Sequence, residues 1–305
     1  MLSEDVRSEL AAISPARRCD ALSEISALFH TAGSLHLRVK GDLSFHLDLG
    51  SSAVARRAFS LLRELGVGSE VRTYRQRAFG QPTRYQLHVA GDFRTIDALR
   101  EAGVVSRGAT PLATPPMRVV GRSCCRSAYA RGALLGAGSV SGPRSPHLEV
   151  RFPGLEGAEF LQRVGRLEDV ELRTRDRGRF AIAYARGAEA IADSLALAGA
   201  SDAALLVDEH AVVGAARAHA NRLANADHAN IVRASRAAHR QVRAVRLLLE
   251  SGRFEELPVR LQEVAELRVR HPSLSLRELA AKCRPPATKA AAHRRLAKLV
   301  QLAES

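Results

Sequence analysis

The residues best able to do chemistry are basic ones near the carboxyl end of the 305-residue chain. A helix that begins near Lys289 would carry Arg294 opposite its apolar stripe, with Lys298 on the same outer side. His293 and Arg295 would flank Arg294. Guanidinium and ammonium groups bind phosphate oxygens, and arginine reads guanine with a forked contact. This pattern predicts contact with a duplex nucleic acid.

Two capped helices on either side of a rigid turn must position these side chains. Ser275 opens a capping-box pattern at the start of a helix over 276–283, with a glutamate three residues later. Two prolines in 284–287 force a turn, and Thr288 caps a further helix over 289–302. A short helix, a turn and a capped basic helix together predict a helix-turn-helix.

The apolar residues of this segment support the same arrangement. A preceding helix over 258–271 and the stripe formed by Ala292, Leu296 and Leu299 supply an inward face with helical period. A plain three-helix packing module with a solvated basic face is the alternative. The predicted DNA-contacting residues are Ser275, Thr288, Lys289, Ala290, His293, Arg294, Arg295 and Lys298.

The charge balance of the chain favours a polyanionic partner. The chain has 46 Lys+Arg against 32 Asp+Glu, a net charge of +14, and all but four of the basic residues are arginine. Residues 211–305 hold 18 basic and 8 acidic residues, so the last third carries most of the excess. A clustered positive field is typical of nucleic-acid binding, although a solvated helical surface has the same composition.

Composition excludes several classes of protein. The hydrophobic fraction of 46% excludes a mainly disordered chain. No apolar run reaches the roughly 18 residues that a membrane span needs, so no membrane partner is expected. The first seven residues are acidic and lack an apolar core, unlike a secretory signal. We therefore expect a cytoplasmic protein, associated with the nucleoid if it binds DNA.

The four cysteines indicate no metal and no cofactor. Cys124 and Cys125 are adjacent, so we expect no disulfide between them, and Cys19 and Cys283 lie far from both in the sequence. No CxxC or Cys/His spacing matches a zinc site. We expect four reduced, mostly buried thiols.

The first two thirds of the chain contain an internal repeat. A helix over 20–34 with a glycine cap at Gly33 has a counterpart over 125–139 with its cap at Gly138, 105 residues further on. Each half reads helix, strand, strand, helix, strand, strand, helix. The predicted elements after the lead helices are strands 43–49 and 147–152, helices 53–65 and 157–167, strands 70–75, 84–90, 170–175 and 179–186, and helices 93–101 and 188–198.

Small residues recur on one face of each lead helix. Gly132 and Gly136 are four residues apart, as are Ala27 and Thr31 in the first copy. Residues four apart share a helix face, and small side chains there let two helix backbones approach closely. The spacing predicts that the two lead helices cross at a pseudo-twofold axis.

This repeat resembles the LAGLIDADG homing-endonuclease fold. The motif matches are residues 25–33 and 130–138, and in the nucleases an acidic residue just before the last glycine binds the catalytic metal. Here Ala32 and Ala137 occupy those positions, and alanine supplies no oxygen ligand. The resemblance therefore implies a scaffold without catalytic residues. Nearby carboxylates are interpreted as surface or groove residues: Asp42, Asp48 and Glu149.

A polar connector joins the repeat to the helix-turn-helix. Residues 211–250 are predicted as one long helix or two, and the run NRLANADHANIVRASRAA is rich in asparagine and arginine. These side chains suit contacts to the preceding domain or to phosphates, and a solvated connector fits equally. The expected domains are 1–105 and 106–210 for the two halves, 211–250 for the linker and 251–305 for the helix-turn-helix.

The connector and the ending HPSLSLRELAAKCRPPATKAAAHRRLAKL resemble the WhiA family of bacterial regulators over essentially the whole chain. The resemblance implies an α+β fold: a pseudo-symmetric LAGLIDADG-like αββαββα repeat without nuclease activity, followed by an all-α helix-turn-helix domain that binds double-stranded DNA. It also implies a role in cell division and chromosome segregation. In sporulating actinobacteria the family regulates transcription alongside a WhiB-type iron–sulfur partner. Ala-Ala-Ala-His at 290–293 departs from the more polar residues of many relatives.

Three functions remain open from the sequence. The first is a sequence-specific DNA-binding regulator without enzyme activity, and the second is a nuclease with unconventional ligands. The third is an architectural protein whose N-terminal domain mainly binds a protein partner. Arginines on or between the later strands of the repeat could contact a phosphate backbone, lie in solvent or bind an acidic partner, and the sequence does not decide between these. They are Arg72, Arg75, Arg77, Arg84, Arg173, Arg175, Arg177 and Arg179.

Overall fold

The computed structural model of the chain describes residues 2–37, 43–75, 83–142 and 146–304. These residues divide into two compact units, 1–214 and 215–305. The first unit contains helices and two antiparallel sheets, and the second is helical. The predicted α+β class is therefore confirmed.

The first half of the repeat forms one four-stranded sheet with helices packed on it. Its strand order is β1-β2-β4-β3, and all neighbouring pairs are antiparallel. The elements are α1 (Leu2–Ala12), α2 (Arg18–Ala32), β1 (Gly33–Leu37), β2 (Leu43–Leu49), α3 (Ser52–Glu64), β3 (Glu70–Arg75), β4 (Thr83–Ala90) and α4 (Phe93–Glu101).

The second half repeats this architecture. A short 3₁₀ helix, Met117–Val120, precedes it, and its sheet has the equivalent antiparallel order β5-β6-β8-β7. The elements are α5 (Ser123–Ala137), β5 (Gly138–Val140), β6 (His147–Phe152), α6 (Leu155–Arg166), β7 (Arg173–Asp176), β8 (Ala181–Arg186) and α7 (Ala188–Ala198). The predicted duplication of the element order is confirmed.

Period-2 alternation fixes which face of each sheet is buried. In β2, Phe45, Leu47 and Leu49 are buried, whereas His46 and Asp48 between them are half-buried on the other face. Successive strand residues point to opposite faces, so a slip of one residue in the strand pairing would turn His46 and Asp48 into the core. The observed register pairs apolar residues across the ladder and keeps both polar residues outside.

The predicted contact between the lead helices is confirmed. A methyl group at Gly132 would lie 2.3 Å from the carbonyl oxygen of Glu24, and one at Gly136 would lie 2.0 Å from the Thr31 hydroxyl oxygen. Both distances are shorter than any van der Waals contact, so only glycine allows this packing of α5 on α2. The helices end at the predicted glycines, Gly33 and Gly138, which are both extended.

A buried ion-pair network joins the two halves where these helices meet. The Glu24 carboxylate accepts hydrogen bonds from Arg57 at 2.7 and 2.9 Å and from Arg131 at 2.9 Å. Arg131 also donates to the carbonyl of Ala198 at 3.2 Å. The Glu24 side chain is fully buried and both guanidinium groups are nearly so. A charge this deep is stable only when paired, so each of the three side chains needs the others.

One helix of the structure was not predicted, and several predicted element boundaries differ from those observed. Helix α1 packs against α3 and was not predicted. Strand β7 begins at Arg173 and not at residue 170, because the Val170 amide donates to the Gly165 carbonyl and completes the turn after α6. Asp169 in that turn has a positive φ of 57°.

The second unit is built from the end of one long helix and three short ones. Helix α8 (Ser201–Glu250) is continuous, so the predicted connector is one helix that begins ten residues earlier than expected. It is followed by α9 (Val259–Arg270), α10 (Leu276–Lys282) and α11 (Lys289–Glu304). Their shared core is Val245, Leu248, Phe254, Val264, Ala265, Leu279, Ala280, Cys283, Ala292, Leu296 and Leu299.

The asparagine-rich part of the connector, residues 221–230 of α8, is exposed to solvent. Asn221, Asn225 and Arg222 lie on exposed turns, and Arg233 donates to the Asn230 side chain at 2.6 Å. Across the residues described, no helix is both long and apolar enough to cross a membrane.

Candidate nucleic-acid interface

The start of α10 is fixed by the predicted capping box. The Ser275 hydroxyl accepts a hydrogen bond from the Glu278 amide at 3.3 Å, and the Glu278 carboxylate accepts one from the Ser275 amide at 2.8 Å. Hydrogen bonds from Ser275 hold the pKa of Glu278 below its usual range. The reciprocal bonds satisfy two amides that a helix otherwise leaves free.

The start of α11 carries the second predicted cap. The Thr288 hydroxyl accepts a hydrogen bond from the Ala291 amide at 3.2 Å, and its carbonyl accepts one from the Ala292 amide at 3.0 Å. The turn before it is held by the Ala287 amide, which donates to the Ala280 carbonyl at 2.9 Å. Together these contacts set the angle between α10 and α11.

Three buried residues set the rotation of α11 about its axis. Ala292, Leu296 and Leu299 are fully buried, as the predicted stripe requires. They pack on Leu279 and Ala280 of α10 within the core of the second unit. Because this stripe faces inward, the opposite side of α11 faces solvent.

The structure exposes seven of the eight predicted DNA-contacting residues. These are Ser275, Thr288, Lys289, Ala290, His293, Arg294 and Lys298. Arg295 differs because it is half-buried beside the Cys283 thiol. Burial raises the pKa of that thiol, and the nearby Arg295 offsets part of the rise. Arg295 follows Arg294 by one residue, which turns it about 100° towards the core.

The exposed cations of α11 are available to an anion. Within the described ranges, Lys289, Arg294 and Lys298 form no ion pair with a carboxylate. Lys298 makes one long contact, 3.5 Å, with Gln301. Lys289 lies in the first turn, where free amides and the helix dipole also favour a phosphate. We call Lys289, His293, Arg294 and Lys298 the basic face of α11.

One buried arginine that was not predicted from the sequence supports this motif. Arg268 is only 3% exposed and donates to the carbonyls of Pro272 at 3.2 Å and Leu274 at 2.7 Å. It thereby holds the loop that presents Ser275. Burial lowers its pKa. Arg268 lies three residues after Ala265, on the apolar face of α9. This spacing could have predicted from the sequence that its side chain is buried.

At the two motif positions that the nucleases fill with acids, the described residues are alanines. Ala32 and Ala137 are the last residues of α2 and α5, and both are half-buried. Their methyl groups offer no oxygen atom. Asp48 instead accepts hydrogen bonds from Arg84 and Tyr74, and Glu149 accepts from Arg151. Asp42 lies outside the described residues.

The strand arginines of the repeat are partly neutralised. Arg72 contacts Glu70 at 2.9 Å, Arg84 contacts Asp48, and Arg173 contacts Glu171 at 3.1 Å. Arg75, Arg175, Arg177 and Arg179 are exposed, and Arg77 lies outside the described residues.

Three of the four cysteines lie close together in the structure. Cys19 is distant from Cys124 and Cys125 in the sequence, but the structure brings all three together with Asp20, their ligand atoms within 4.8 Å of one another. All four cysteines are free thiols; Cys125 and Cys283 are buried, whereas Cys19 and Cys124 are half-buried, so fewer of the thiols are buried than expected. Burial raises the pKa of the Cys125 thiol to about 12.

Fold and motif together define a class: two LAGLIDADG-like halves without the motif acids, joined to a helix-turn-helix domain. Family models match in the same order. The WhiA N-terminal LAGLIDADG-like domain matches residues 18–105, the WhiA LAGLIDADG-like domain matches 126–217, and the WhiA C-terminal HTH domain matches 220–303. The chain belongs to the WhiA family.

Similar proteins cover the chain almost from end to end. The probable cell division protein WhiA of Heliobacterium modesticaldum is 33% identical over 99% of this chain and 96% of its own length. That of Acidothermus cellulolyticus is 34% identical over 99% and 93%. The crystal structure of full-length WhiA from Thermatoga maritima shares the fold, with a TM-score of 0.58 at 21% identity over 99% of this chain and 97% of that one.

Proposed function

We propose that the chain is a sequence-specific DNA-binding regulator of cell division, with the helix-turn-helix of the second unit as its principal DNA contact. The observation that carries the proposal is the basic face of α11: its cations are exposed, free of carboxylates within the described ranges, and aimed outward by a buried stripe. Ala290 at the start of α11 leaves room for a close approach to a major groove.

Family membership supports the finer parts of this proposal. The similar proteins named above are probable cell division proteins. We extend the role to chromosome segregation and, in sporulating organisms, to sporulation genes, with a WhiB-type iron–sulfur protein as a further partner. Co-purification of that partner with the full chain, tested with and without its cluster, checks the last point. Genes that bind the protein and change expression on its depletion check the others.

DNA titrations of the full chain test the central claim. The Lys289→Ala, Arg294→Ala and Lys298→Ala triple variant is expected to bind a target duplex about tenfold more weakly or worse. The log–log salt slope is expected to fall by about 0.9 for each phosphate contact removed. Arg260→Ala, which removes an exposed cation from α9, is the matched control and should leave both quantities unchanged. Unchanged binding by the triple variant would remove α11 from the interface.

We also propose that the protein does not cleave DNA. Ala32 and Ala137 support this, because a metal-assisted phosphodiester cleavage needs oxygen ligands where the helix ends meet. Supercoiled plasmid incubated with the protein and Mg²⁺ should remain supercoiled. Nicking that disappears in Asp48→Asn or Glu149→Gln would contradict the proposal.

An architectural protein with a protein partner on its first unit is the second candidate. The mixed charge of its strands favours it, since three of the strand arginines already pair with neighbouring acids. Chromosome-wide mapping separates the two functions. A few sharp promoter sites indicate a regulator, and broad coverage indicates an architectural role.

A further inference from the structure

A cluster of metal-ligating side chains lies at the amino ends of the two lead helices. Cys19 and Asp20 lie in the first turn of α2, and Cys124 and Cys125 lie in the first turn of α5. The repeat offset of 105 residues relates Cys19 to Cys124 and Asp20 to Cys125. Each half of the molecule therefore contributes an equivalent pair of adjacent residues to one place.

The distances within this cluster suit a single ion. All four ligand atoms lie within 4.8 Å of one another. The sulfur atoms of Cys124 and Cys125 are 3.9 Å apart, and the Cys19 sulfur lies 3.5 Å from an oxygen of Asp20. A tetrahedral zinc ion with Zn–S bonds of about 2.3 Å and Zn–O bonds of about 2.1 Å separates its ligand atoms by about 3.5–3.8 Å.

We propose that Cys19, Asp20, Cys124 and Cys125 form a structural zinc site that ties the two halves of the repeat together. Three thiolates and one carboxylate fill the four positions of a tetrahedral site and leave none open, as in structural rather than catalytic zinc centres. Soft sulfur ligands select zinc over magnesium or calcium. The site is separate from the helix-turn-helix and from the motif positions at Ala32 and Ala137.

Asp20 supplies an independent reason to place a cation here. Its side chain is only 7% exposed. Among the contacts of the described residues, the carboxylate has a single hydrogen-bond partner, the Cys19 thiol, at 3.5 Å. A buried carboxylate is costly unless a positive group compensates it. A divalent ion bound between Asp20 and the three sulfur atoms provides that charge.

Positive groups and a rigid frame surround the cluster. The amino ends of α2 and α5 both point their partial positive charge at it. The Arg17 guanidinium lies 3.6 Å from the Cys124 sulfur. Ser23 donates to the carbonyls of Cys19 at 2.9 Å and Val119 at 2.6 Å, which joins α2 to the 3₁₀ helix before α5. The half-buried Cys19 and Cys124 leave an access route from solvent.

Metal content of the full chain tests the proposal. The reduced protein, loaded with Zn²⁺ and freed of excess metal, should retain one zinc ion per chain, as measured by inductively coupled plasma mass spectrometry. Cys19→Ser and Cys124→Ser should each lose it. Cys283→Ser removes a buried thiol from the second unit, and this matched control should retain it. No bound zinc in the wild type, or zinc that survives in both cluster variants, would overturn the site.

Cobalt spectra and thermal unfolding test the site in the wild type as well, so the test does not fail if one cysteine variant does not fold. Co²⁺ in place of zinc should give the intense visible bands of a tetrahedral thiolate site, absent in Cys19→Ser. Zinc should raise the Tm of the wild type and of Cys283→Ser but not that of Cys124→Ser, since a ligand of the folded state stabilises it. Asp20→Asn, which keeps the side-chain shape, should bind zinc at least tenfold more weakly. A Cys19–Cys124 or Cys19–Cys125 disulfide in protein purified under reductant would overturn the proposal.

Discussion

The two ends of the lead-helix pair differ in what they can bind. At the carboxyl ends, Ala32 and Ala137 present methyl groups where the related nuclease motif has acids. At the amino ends of the same helices, three thiols and the carboxylate of Asp20 converge within 4.8 Å. The comparison shows that a duplicated helix pair brings equivalent positions of both halves together at each end. The residue types at those positions then decide whether an end can hold an ion.

Close packing along the whole pair is what makes both ends meet. Gly132 faces Glu24 near the middle, and Gly136 faces Thr31 towards the carboxyl ends. The cysteines meet at the amino ends, so α2 and α5 run side by side for their full 15 residues, about 22 Å. Substitutions along this line therefore separate the contribution of the packing from that of either end.

The largest effect is expected at the centre of the pair. Glu24→Gln leaves Arg57 and Arg131 buried without a carboxylate, which should lower the free energy of unfolding by about 3–5 kcal/mol. Urea unfolding of the full chain measures it. Glu101→Gln breaks the exposed pair with Arg18 and should cost about 0–1 kcal/mol. Equal losses in the two variants would show that the central network does not hold the halves together.

The next effect concerns the helix contact itself. Gly132→Ala places a methyl group 2.3 Å from the Glu24 carbonyl oxygen, so the helices must separate, at a cost of about 1–3 kcal/mol. Gly214→Ala is the matched helical control, because nothing lies within 4 Å of a methyl group there. It should stabilise the chain by about 0.5–1 kcal/mol through helix propensity. Opposite signs for the two changes in Tm would confirm the close approach.

Aspartates placed at the motif positions test whether the carboxyl ends of α2 and α5 can also hold a metal ion. The double variant Ala32→Asp, Ala137→Asp puts two negative charges near each other and at the negative ends of two helices, at a cost of about 1–2 kcal/mol near pH 7. Each repulsion raises the carboxyl pKa, so the cost should shrink as the pH falls through it. The Asn double variant should show no such pH dependence. Mn²⁺ should stabilise the Asp variant only.

The smallest effect is expected at the start of α10, where a capping box and not a metal ion stabilises the helix end. Ser275→Ala removes half of the capping box on α10, at a cost of about 1 kcal/mol. Hydrogen bonds from Ser275 lower the folded pKa of Glu278, so the contribution of the ionised Glu278 is present above its unfolded pKa and is lost as the pH falls through the folded pKa. The difference between wild type and Ser275→Ala should therefore be smaller at pH 3 than at pH 7. A difference that grows on acidification contradicts the capping geometry.

Local signals carried most of the fold prediction. Glycine caps, apolar periodicity and the Ser275 capping box act within a few residues, so they locate helices and strands without knowledge of distant contacts. β6, α4 and α7 begin and end where the sequence predicts. The lead-helix contact was also predictable, because small residues four apart mark a face that another backbone can approach.

Contacts between distant residues account for what the sequence analysis missed. The buried Glu24 network joins residues 33 and 107 positions apart, and charged residues are ordinarily assigned to the surface. The cysteine cluster was missed because spacing rules compare neighbours in sequence, whereas Cys19 and Cys124 are neighbours only through the repeat. Applying the 105-residue offset to Cys19 would have found Cys124. Arg295 turned inward because one residue of helix rotates a side chain by about 100°.

The central network also makes the two halves non-equivalent. With the 105-residue offset, Tyr129 is the repeat equivalent of Glu24, and Arg131 is the equivalent of Ser26. The buried carboxylate therefore comes from the first copy and the Arg131 guanidinium from the second. A molecule assembled from two copies of the second half would bury two Arg131 side chains with no acid between them. Such a dimer would lack the carboxylate that compensates the buried guanidinium groups, so each half now depends on the other for the balance of its buried charge.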